Sequence, residues 1–511
     1  MEKIVFFAKG NSAALPRLGL GYLSSYLKQE LPRVEVDILE VEDNSSLKQQ
    51  FDAIKDAKPT LLGFSSISTD YEHMKKLARI VFDELGTPCF IGGPHISGAP
   101  NSLDSAFTFA VLGEGEVTTA DVINHWLILK NFQPENLAKI PGLAFHDGNG
   151  KVCFSKPRDL ITDIDTLPFP SRNLLNVEDI AKRAHILSSF RLVIHKMMSI
   201  ATSRGCPYDC VYCSARAFWG KVRYRSAESA LNEIELLLNN YSFDALHPID
   251  DLFIGDRKRL RVLSSEFKKR GYDKVMKLWV SARANLFTEE IAHLLAEMNT
   301  AHVAFGFESG SDRILKFLKG HSFTVEHNYK AAELAHKMGM RVEAGIIVGS
   351  PGETLEDMDA TYRFLTNSPI DSFGIQILSP LPGTRLWKQA ELKGFVSDTM
   401  DFDRLWDWKQ DTAISDPDSF IYCNDSVPKK EFLKIYKRFV DYMRKKGGYG
   451  DSLGALLCLD SQVWGNAIKN PDLILASIKK SFVVLIGNFP MFFEMLRKVK
   501  KVVYNCLGKF K

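Results

Sequence analysis

Along the first 130 positions, short strand-like apolar runs at 4–8, 34–41, 60–65, 88–92 and 107–112 alternate with stretches of helical periodicity at 18–29, 47–57 and 71–85. Parallel strands buried on both faces need such runs, and the helical stretches between them supply the crossovers. The pattern predicts a doubly wound, Rossmann-like α/β domain. In such sheets ligands sit at the carboxyl ends of the strands. Here the loops at those ends read AKGNSAALP, SSISTD, GGPHISG and GEGE, all rich in small residues. Glycine lets a ligand approach the backbone closely, although each loop taken singly reads equally well as an ordinary turn.

The α/β alternation pauses over 131–195. There GLAFHDGNGKVCF predicts a hairpin with a Gly-Asn-Gly turn, and DIDTLPFPSRNLL, with its two prolines, predicts an extended strap. It resumes with six strand patterns at 198–203, 246–253, 277–282, 302–308, 341–348 and 373–379. Helical patterns separate them, at 227–238, 257–266, 288–298, 325–338 and 355–365. Six such units suit a partial (β/α)6 barrel, with functional groups at the carboxyl ends of the strands as in full barrels. Beyond 394 only helical periodicity is left, with aromatics at helical spacing that are more often core than cofactor contacts. The expected division is 1–130, a connector at 131–195, the barrel at 196–395, and a helical cap over its mouth at 396–511.

A chain of 511 residues, 45% apolar and 25% charged, is that of a globular protein with more than one core. Its net charge of +3 gives no reason to expect nucleic acid. Eight cysteines without a paired framework suit a reducing compartment. MEKIVFFAKG is too short an apolar run for a signal peptide, and no stretch is long enough to span a membrane, so a cytoplasmic location is expected.

The most specific chemistry lies in ATSRGCPYDCVYCSARAFWG, directly after the first barrel strand. Cys206, Cys210 and Cys213 offer three thiolates with no fourth cysteine nearby, whereas structural zinc and ordinary iron–sulfur sites take four protein ligands. The spacing therefore points to a four-iron cluster with one open iron, or else to a zinc site completed from elsewhere. The run resembles the radical S-adenosylmethionine (SAM) enzymes. That resemblance implies a 4Fe-4S cluster on these three cysteines, with SAM chelated at the open iron and cleaved to a 5′-deoxyadenosyl radical.

Further motifs extend the resemblance over about 1–395. It implies SAM contacts from Tyr212 between the second and third cysteines, and from Asp251 in HPIDDLF. It implies the same for Ser281 and Arg283 in VSARAN, Glu308 and Ser309 in GFESGS, and Gly349 in GSPGET, followed by SPLPGTRL. From the residues alone, the aspartates could instead cap the helix at 257–266, Arg283 could form an ion pair, and Thr354 could cap a turn. The N-terminal domain resembles the cobalamin-binding domain of one radical SAM subfamily. The likeness lies in PRLGLGYLSSYL, in the run from Ser65 to Thr69, in Gly92-Gly93-Pro94-His95 and in Gly113-Glu114-Gly115-Glu116. It implies cobalamin contacts from Asn11, Ser12, Leu18, Ser65, Ser66, Thr69, Gly92, Gly93, His95, Gly113, Glu114, Gly115 and Glu116. The D-x-H-x-x-G motif that would supply a cobalt-ligating histidine is missing, as in many members of that subfamily.

The resemblance implies a cobalamin-dependent radical SAM methyltransferase acting on an unactivated carbon of a small molecule, reduced by a flavodoxin or ferredoxin. A non-methylating cyclase or rearranging enzyme, and a redox-sensing iron–sulfur protein, are the other readings. Residues 477–511 carry eight Lys and Arg against Glu494 alone, among apolar residues at helical spacing. That composition reads either as a docked helix pair or as a peripheral membrane contact, the latter suiting a hydrophobic or lipid-like substrate.

Overall fold

The computed structural model describes residues 2–9, 16–41, 45–182, 194–405 and 410–446. The first sheet contains β1 (Glu2–Lys9), β2 (Val34–Val41), β3 (Leu61–Ser65), β4 (Cys89–Gly92) and β5 (Phe109–Val111), followed by β6 (Leu143–His146) and β7 (Val152–Phe154). Their order is β2-β1-β3-β4-β5-β6-β7. The first five pair in parallel and the last two add on antiparallel. Helices α1 (Leu18–Glu30), α2 (Leu47–Ala57), α3 (Tyr71–Leu85), α4 (Pro94–Gly98) and α5 (Gly115–Leu129) intervene. Strand β1 shows why its sequence is apolar throughout. Ile4, Phe6 and Ala8 pack in the core formed with α1 and α5, while Val5 and Phe7 join the core formed with α2 and α3.

The hairpin predicted inside the connector is present as β6 and β7 and extends this sheet rather than standing apart. Asp147 turns it, accepting hydrogen bonds from the N–H groups of Asn149 and Lys151, both at 2.9 Å. After the short helices α6 (Pro134–Leu137) and α7 (Val177–Lys182), the chain enters the second sheet. The proline strap lies against α1. Ser171 N–H donates to Gly21 O at 3.0 Å, and a Cβ on Gly21 would stand 2.9 Å from that of Pro170. Arg172 then pairs with Glu233 at 2.6 Å, both buried, fastening the strap to the barrel.

The second sheet is built from β8 (Met197–Ile200), β11 (Ala245–Pro248), β12 (Lys277–Ala282), β13 (Thr300–Glu308), β14 (Arg341–Val348) and β15 (Ser372–Ile377). It is wholly parallel and strictly sequential, the order of an open partial barrel. A two-residue hairpin, β9 (Ser203–Arg204) with β10 (Arg223–Tyr224), stands between its first two strands in the chain. The helices here are α8 (Ala215–Trp219), α9 (Ala227–Asn240), α10 (Arg257–Lys269), α11 (Glu289–Glu297), α12 (Asp312–Lys319), α13 (Val325–Lys337), α14 (Leu355–Asn367) and α15 (Arg385–Leu392). Leu278 and Val280, Val303 and Phe305, and Val342 and Ala344 pack with these helices in one core. Met197, Ala245 and Trp279 form a separate cluster at the amino ends of the strands.

The C-terminal region departs from a simple cap. Among the described residues it contains α16 (Gln410–Ser415) and α17 (Lys429–Lys446). Phe432 at the start of α17 reaches the rim, where a Cβ on Gly349 would lie 3.3 Å from its ring. The helix then packs along β15 and α14, with Tyr442 5.6 Å from Phe373, because its apolar face must cover the exposed side of the last strand. Before it, Phe402 returns to the first domain and packs on Tyr71 at 5.6 Å. No helix among the described residues is long and apolar enough to cross a membrane. The basic stretch at 477–511 lies outside the described residues.

Candidate active site

The three cysteines sit on the excursion between β9 and β10, so one short hairpin closes the loop that carries them. Gly205 opens it at φ +85°, where a Cβ would stand 3.0 Å from Trp219 and 3.2 Å from Lys221 O. The middle is held from both sides: Val211 N–H donates to Leu318 O at 3.0 Å, and Leu386 N–H donates to Val211 O at 2.9 Å. All three thiols are free, and none is fully buried. Partial burial pushes the Cys206 thiol up, and Cys210 and Asp251 add to that while Arg283 opposes it. Such a thiol gives up its proton when a metal takes the sulfur. Among the described residues no three His, Cys, Asp or Glu side chains converge on one ion. Three free thiols on one short loop are the donor set of a cluster with one open corner, and in that respect the residues present fit it.

Around this loop lie the carboxyl ends of the barrel strands. Arg283, after β12, donates to Cys210 Sγ at 3.3 Å and to Asn285 Oδ1 at 3.0 Å. Its guanidinium lies 3.9 Å from the Tyr208 ring and 4.9 Å from that of Phe323. It is thus a neighbour of the cluster loop, and this contact is not the surface ion pair weighed for it. Ser281 is the next-to-last residue of β12, two positions before Arg283. Glu308 ends β13 beyond a register shift, with φ +64°, a left-handed conformation that costs a non-glycine residue energy. It is fixed there by the Tyr212 hydroxyl, which donates to Oε1 at 2.7 Å, and by Lys319 Nζ at 3.4 Å. Lys319 also donates to Gly306 O. Ser309 is fully buried, and its hydroxyl meets Thr361 Oγ1 at 3.1 Å and accepts Ser311 N–H at 3.1 Å.

Gly349 directly follows β14, at φ +84°, and donates its N–H to Glu353 Oε2 at 2.6 Å. Thr354 does cap α14, in a reciprocal box with Asp357. The two aspartates do not cap α10, a role taken by Asp256. Asp250 turns inward to accept the Thr202 N–H at 2.6 Å and its hydroxyl at 2.5 Å. Asp251 accepts Gly205 N–H at 3.2 Å, and burial pushes it up to about 6.

A cavity of about 300 Å³ lies between the carboxyl ends of the two sheets. The first domain lines it with Leu18, Ser65, Gly92, Gly93, Gly113, Glu114, Gly115 and Glu116, and the barrel side with Ala201, Ser203, Arg204, Phe218, Trp219, Ile249 and Asp251. A Cβ at Gly113 would meet no atom within 4 Å, and one at Gly92 none nearer than 3.6 Å. The backbone at these two glycines thus faces open space, where a flat group has room to lie against it, whereas a Cβ on Gly93 would stand 2.8 Å from Ser66 O.

Other expected contacts lie elsewhere. His95 is buried between Ser68 and Ser102, 3.1 Å from each hydroxyl, stacks on Tyr71 at 4.0 Å, and does not line the cavity. Burial pushes its imidazole down to about 3, so it stays neutral as a packing residue. Ser66 donates to Ile67 O, and Thr69 lies in a short 3-10 turn, both away from the cavity. Asn11 and Ser12 lie outside the described residues. Glu114 and Glu116 line the cavity, but their carboxylates are engaged by Arg204 and Arg223. Arg204 and Tyr22 line the cavity, Arg223 holds Glu114 and Lys319 meets Glu308, and the sequence reading named none of the four.

Known proteins resemble this chain in sequence and in fold. The model of the radical SAM superfamily matches residues 200–365, and that of the B12 binding domain matches residues 13–123. An uncharacterized methyltransferase, PH0819 of Pyrococcus horikoshii, is 30% identical over 439 residues, covering 84% of this chain and 88% of the relative. The cytidylyl-2-hydroxyethylphosphonate methyltransferase of Streptomyces wedmorensis is 29% identical over 440 residues, covering 75% and 80%. The solved structure of the cobalamin-dependent SAM radical enzyme OxsB with aqua-cobalamin and SAM bound superposes with a TM-score of 0.65 at 18% identity. That alignment covers 87% of this chain and 68% of OxsB, which shows a shared fold. The chain belongs to the radical SAM superfamily, in the group that carries a B12-binding domain, and its cofactors are a 4Fe-4S cluster, SAM and cobalamin.

Proposed function

We propose that the protein is a cobalamin-dependent methyltransferase acting on a carbon of a small molecule, one that lacks an activating group. The observation that carries this reading is the single cavity lined both by the glycine loops of the first domain and by the cluster side of the barrel. Methyltransferases among the relatives support it. When bound, the cluster with SAM supplies a radical that removes hydrogen, and cobalamin supplies a methyl group.

The chain contributes position and exclusion of water. Cys206, Cys210 and Cys213 hold the cluster, with Arg283 donating beside Cys210. Glu308, held by Tyr212 and Lys319, presents a carboxylate at the rim to receive the SAM ammonium. Ser281, Ser309, Gly349 and Asp251 complete that rim, with Ser309 acting through the shape of its turn. Leu18, Phe218, Trp219 and Ile249 give the cavity apolar walls, which suit a substrate whose reacting part is hydrophobic. A small acidic redox protein such as a flavodoxin or ferredoxin supplies the electron.

The test is anaerobic reconstitution with iron, sulfide and hydroxocobalamin. Bound iron and cobalt are then measured, with 5′-deoxyadenosine released from SAM under reduction and label transferred from methyl-labelled SAM to extracted metabolites. Iron, cobalt, SAM cleavage and a labelled product are expected. Iron and SAM cleavage without bound corrinoid would sink the methyltransferase reading and leave a radical enzyme. A corrinoid-loaded enzyme that cleaves SAM and alters a metabolite without transferring label would point to cyclisation or rearrangement.

A further inference from the structure

Arg204 stands two positions before Cys206 and is buried at the domain boundary. Its Nη1 donates to Glu114 Oε1 at 2.6 Å and its Nη2 to Glu116 Oε1 at 2.5 Å, both in the turn that opens the cavity from the first domain. The other oxygen of Glu114 accepts from Arg223 Nη1 at 2.6 Å and from Ile161 N–H at 3.0 Å. Arg223 is the hairpin partner of Arg204, so both ends of the cluster excursion grip the same carboxylate. The Arg204 guanidinium also lies 5.6 Å from the Tyr22 ring and 5.3 Å from the Trp219 ring.

Two carboxylates against two guanidiniums balance in charge, which makes their burial tolerable. Cohesion alone does not require such a network, because well-packed apolar residues of similar volume hold an interface at least as firmly. What the ionic arrangement adds is direction. A planar fork accepts two carboxylates in one orientation, whereas a lysine accepts them as a point charge. The turn at 113–116 is therefore indexed to the residue that leads into the first cysteine.

We propose that Arg204 is a positioning residue that, through Glu114 and Glu116, sets the corrinoid side of the cavity against the cluster loop. This rests on the reading of the cavity as the cobalamin site. The full chain, loaded with cluster and hydroxocobalamin and reduced, gives a paramagnetic corrinoid whose spin relaxation is quickened by the reduced cluster. That quickening falls steeply with their separation and does not depend on turnover.

The Arg204→Lys protein is expected to bind iron and cobalt as the wild type does, yet show the quickening reduced severalfold and spread over a range of values. Glu116→Gln, which keeps a hydrogen-bond acceptor and is the gentler change, should shift it in the same direction by less. Combining the two should add little to Arg204→Lys alone, since both break one contact. A fully loaded Arg204→Lys protein with unchanged relaxation overturns the proposal while leaving the cavity reading intact, as does an unchanged Glu116→Gln protein if Arg204→Lys fails to fold. A folded wild type that takes up no hydroxocobalamin overturns both.

Discussion

Glu353 lies fully buried beneath the GSPGET turn, accepting the N–H groups of Gly349 at 2.6 Å and Ser350 at 2.9 Å through Oε2. Its Oε1 accepts no hydrogen bond, and burial pushes the carboxyl up from 4.5 to about 7. The folded state therefore holds the proton more tightly than the unfolded chain. Stability from this group is complete below pH 4.5 and declines as the pH rises to about 7. Relative to Glu353→Gln, the wild type should lose on the order of 3 kcal/mol across that window, measured as thermal midpoints of both proteins against pH. Cys210→Ala should abolish iron retention after reconstitution, measured as iron per chain, and leave Arg283 without its sulfur acceptor. At this scale the cysteines were legible because their ligand set is local in the chain. Arg204 was not, since its partners lie 90 and 88 positions away and no pattern in one sequence joins them.

Among the elements, the strands were legible because burial on both faces leaves an apolar run. Their ends were less so. Of the run at 246–253 only its first three residues belong to a strand, Ala245–Pro248, because Asp250 is drawn inward by Thr202 and the chain turns away there. The hairpin of Ser203–Arg204 with Arg223–Tyr224 is too short to leave a periodicity. Close approaches between elements are equally silent in sequence. Gly98 in α4 meets the SPLPGTRL turn, where a Cβ would stand 2.5 Å from Pro382 O, and backbone on both sides cannot yield as a flexible side chain would. Gly98→Val should therefore cost about 2 kcal/mol or more in urea unfolding and weaken cobalamin retention by parting the two domains.

The whole molecule is held by segments that return to elements far back in the chain. Phe402 is buried against Tyr71 at 5.6 Å and against His95 at 4.5 Å, and so ties the region after the barrel to the first domain. Phe402→Ala should cost about 3–5 kcal/mol and speed proteolysis between residues 395 and 425, followed by mass spectrometry of the fragments. His95 shows the limit of motif reading at this scale. The GGPHISG loop does reach the cavity through Gly92, Gly93 and Pro94, but its histidine supports Phe402 instead. The sequence by itself determined two α/β units, the cysteine loop after the first barrel strand, and the glycine-rich turns at the strand ends of the first unit. Each of those follows from burial periodicity or from ligands close together in the chain. Only the tertiary structure decided which residues face the shared cavity, which carboxylates are taken up by Arg204 and Arg223, and where the C-terminal helix lies. Those depend on contacts between positions up to hundreds of residues apart, and such contacts leave no local trace in a single chain.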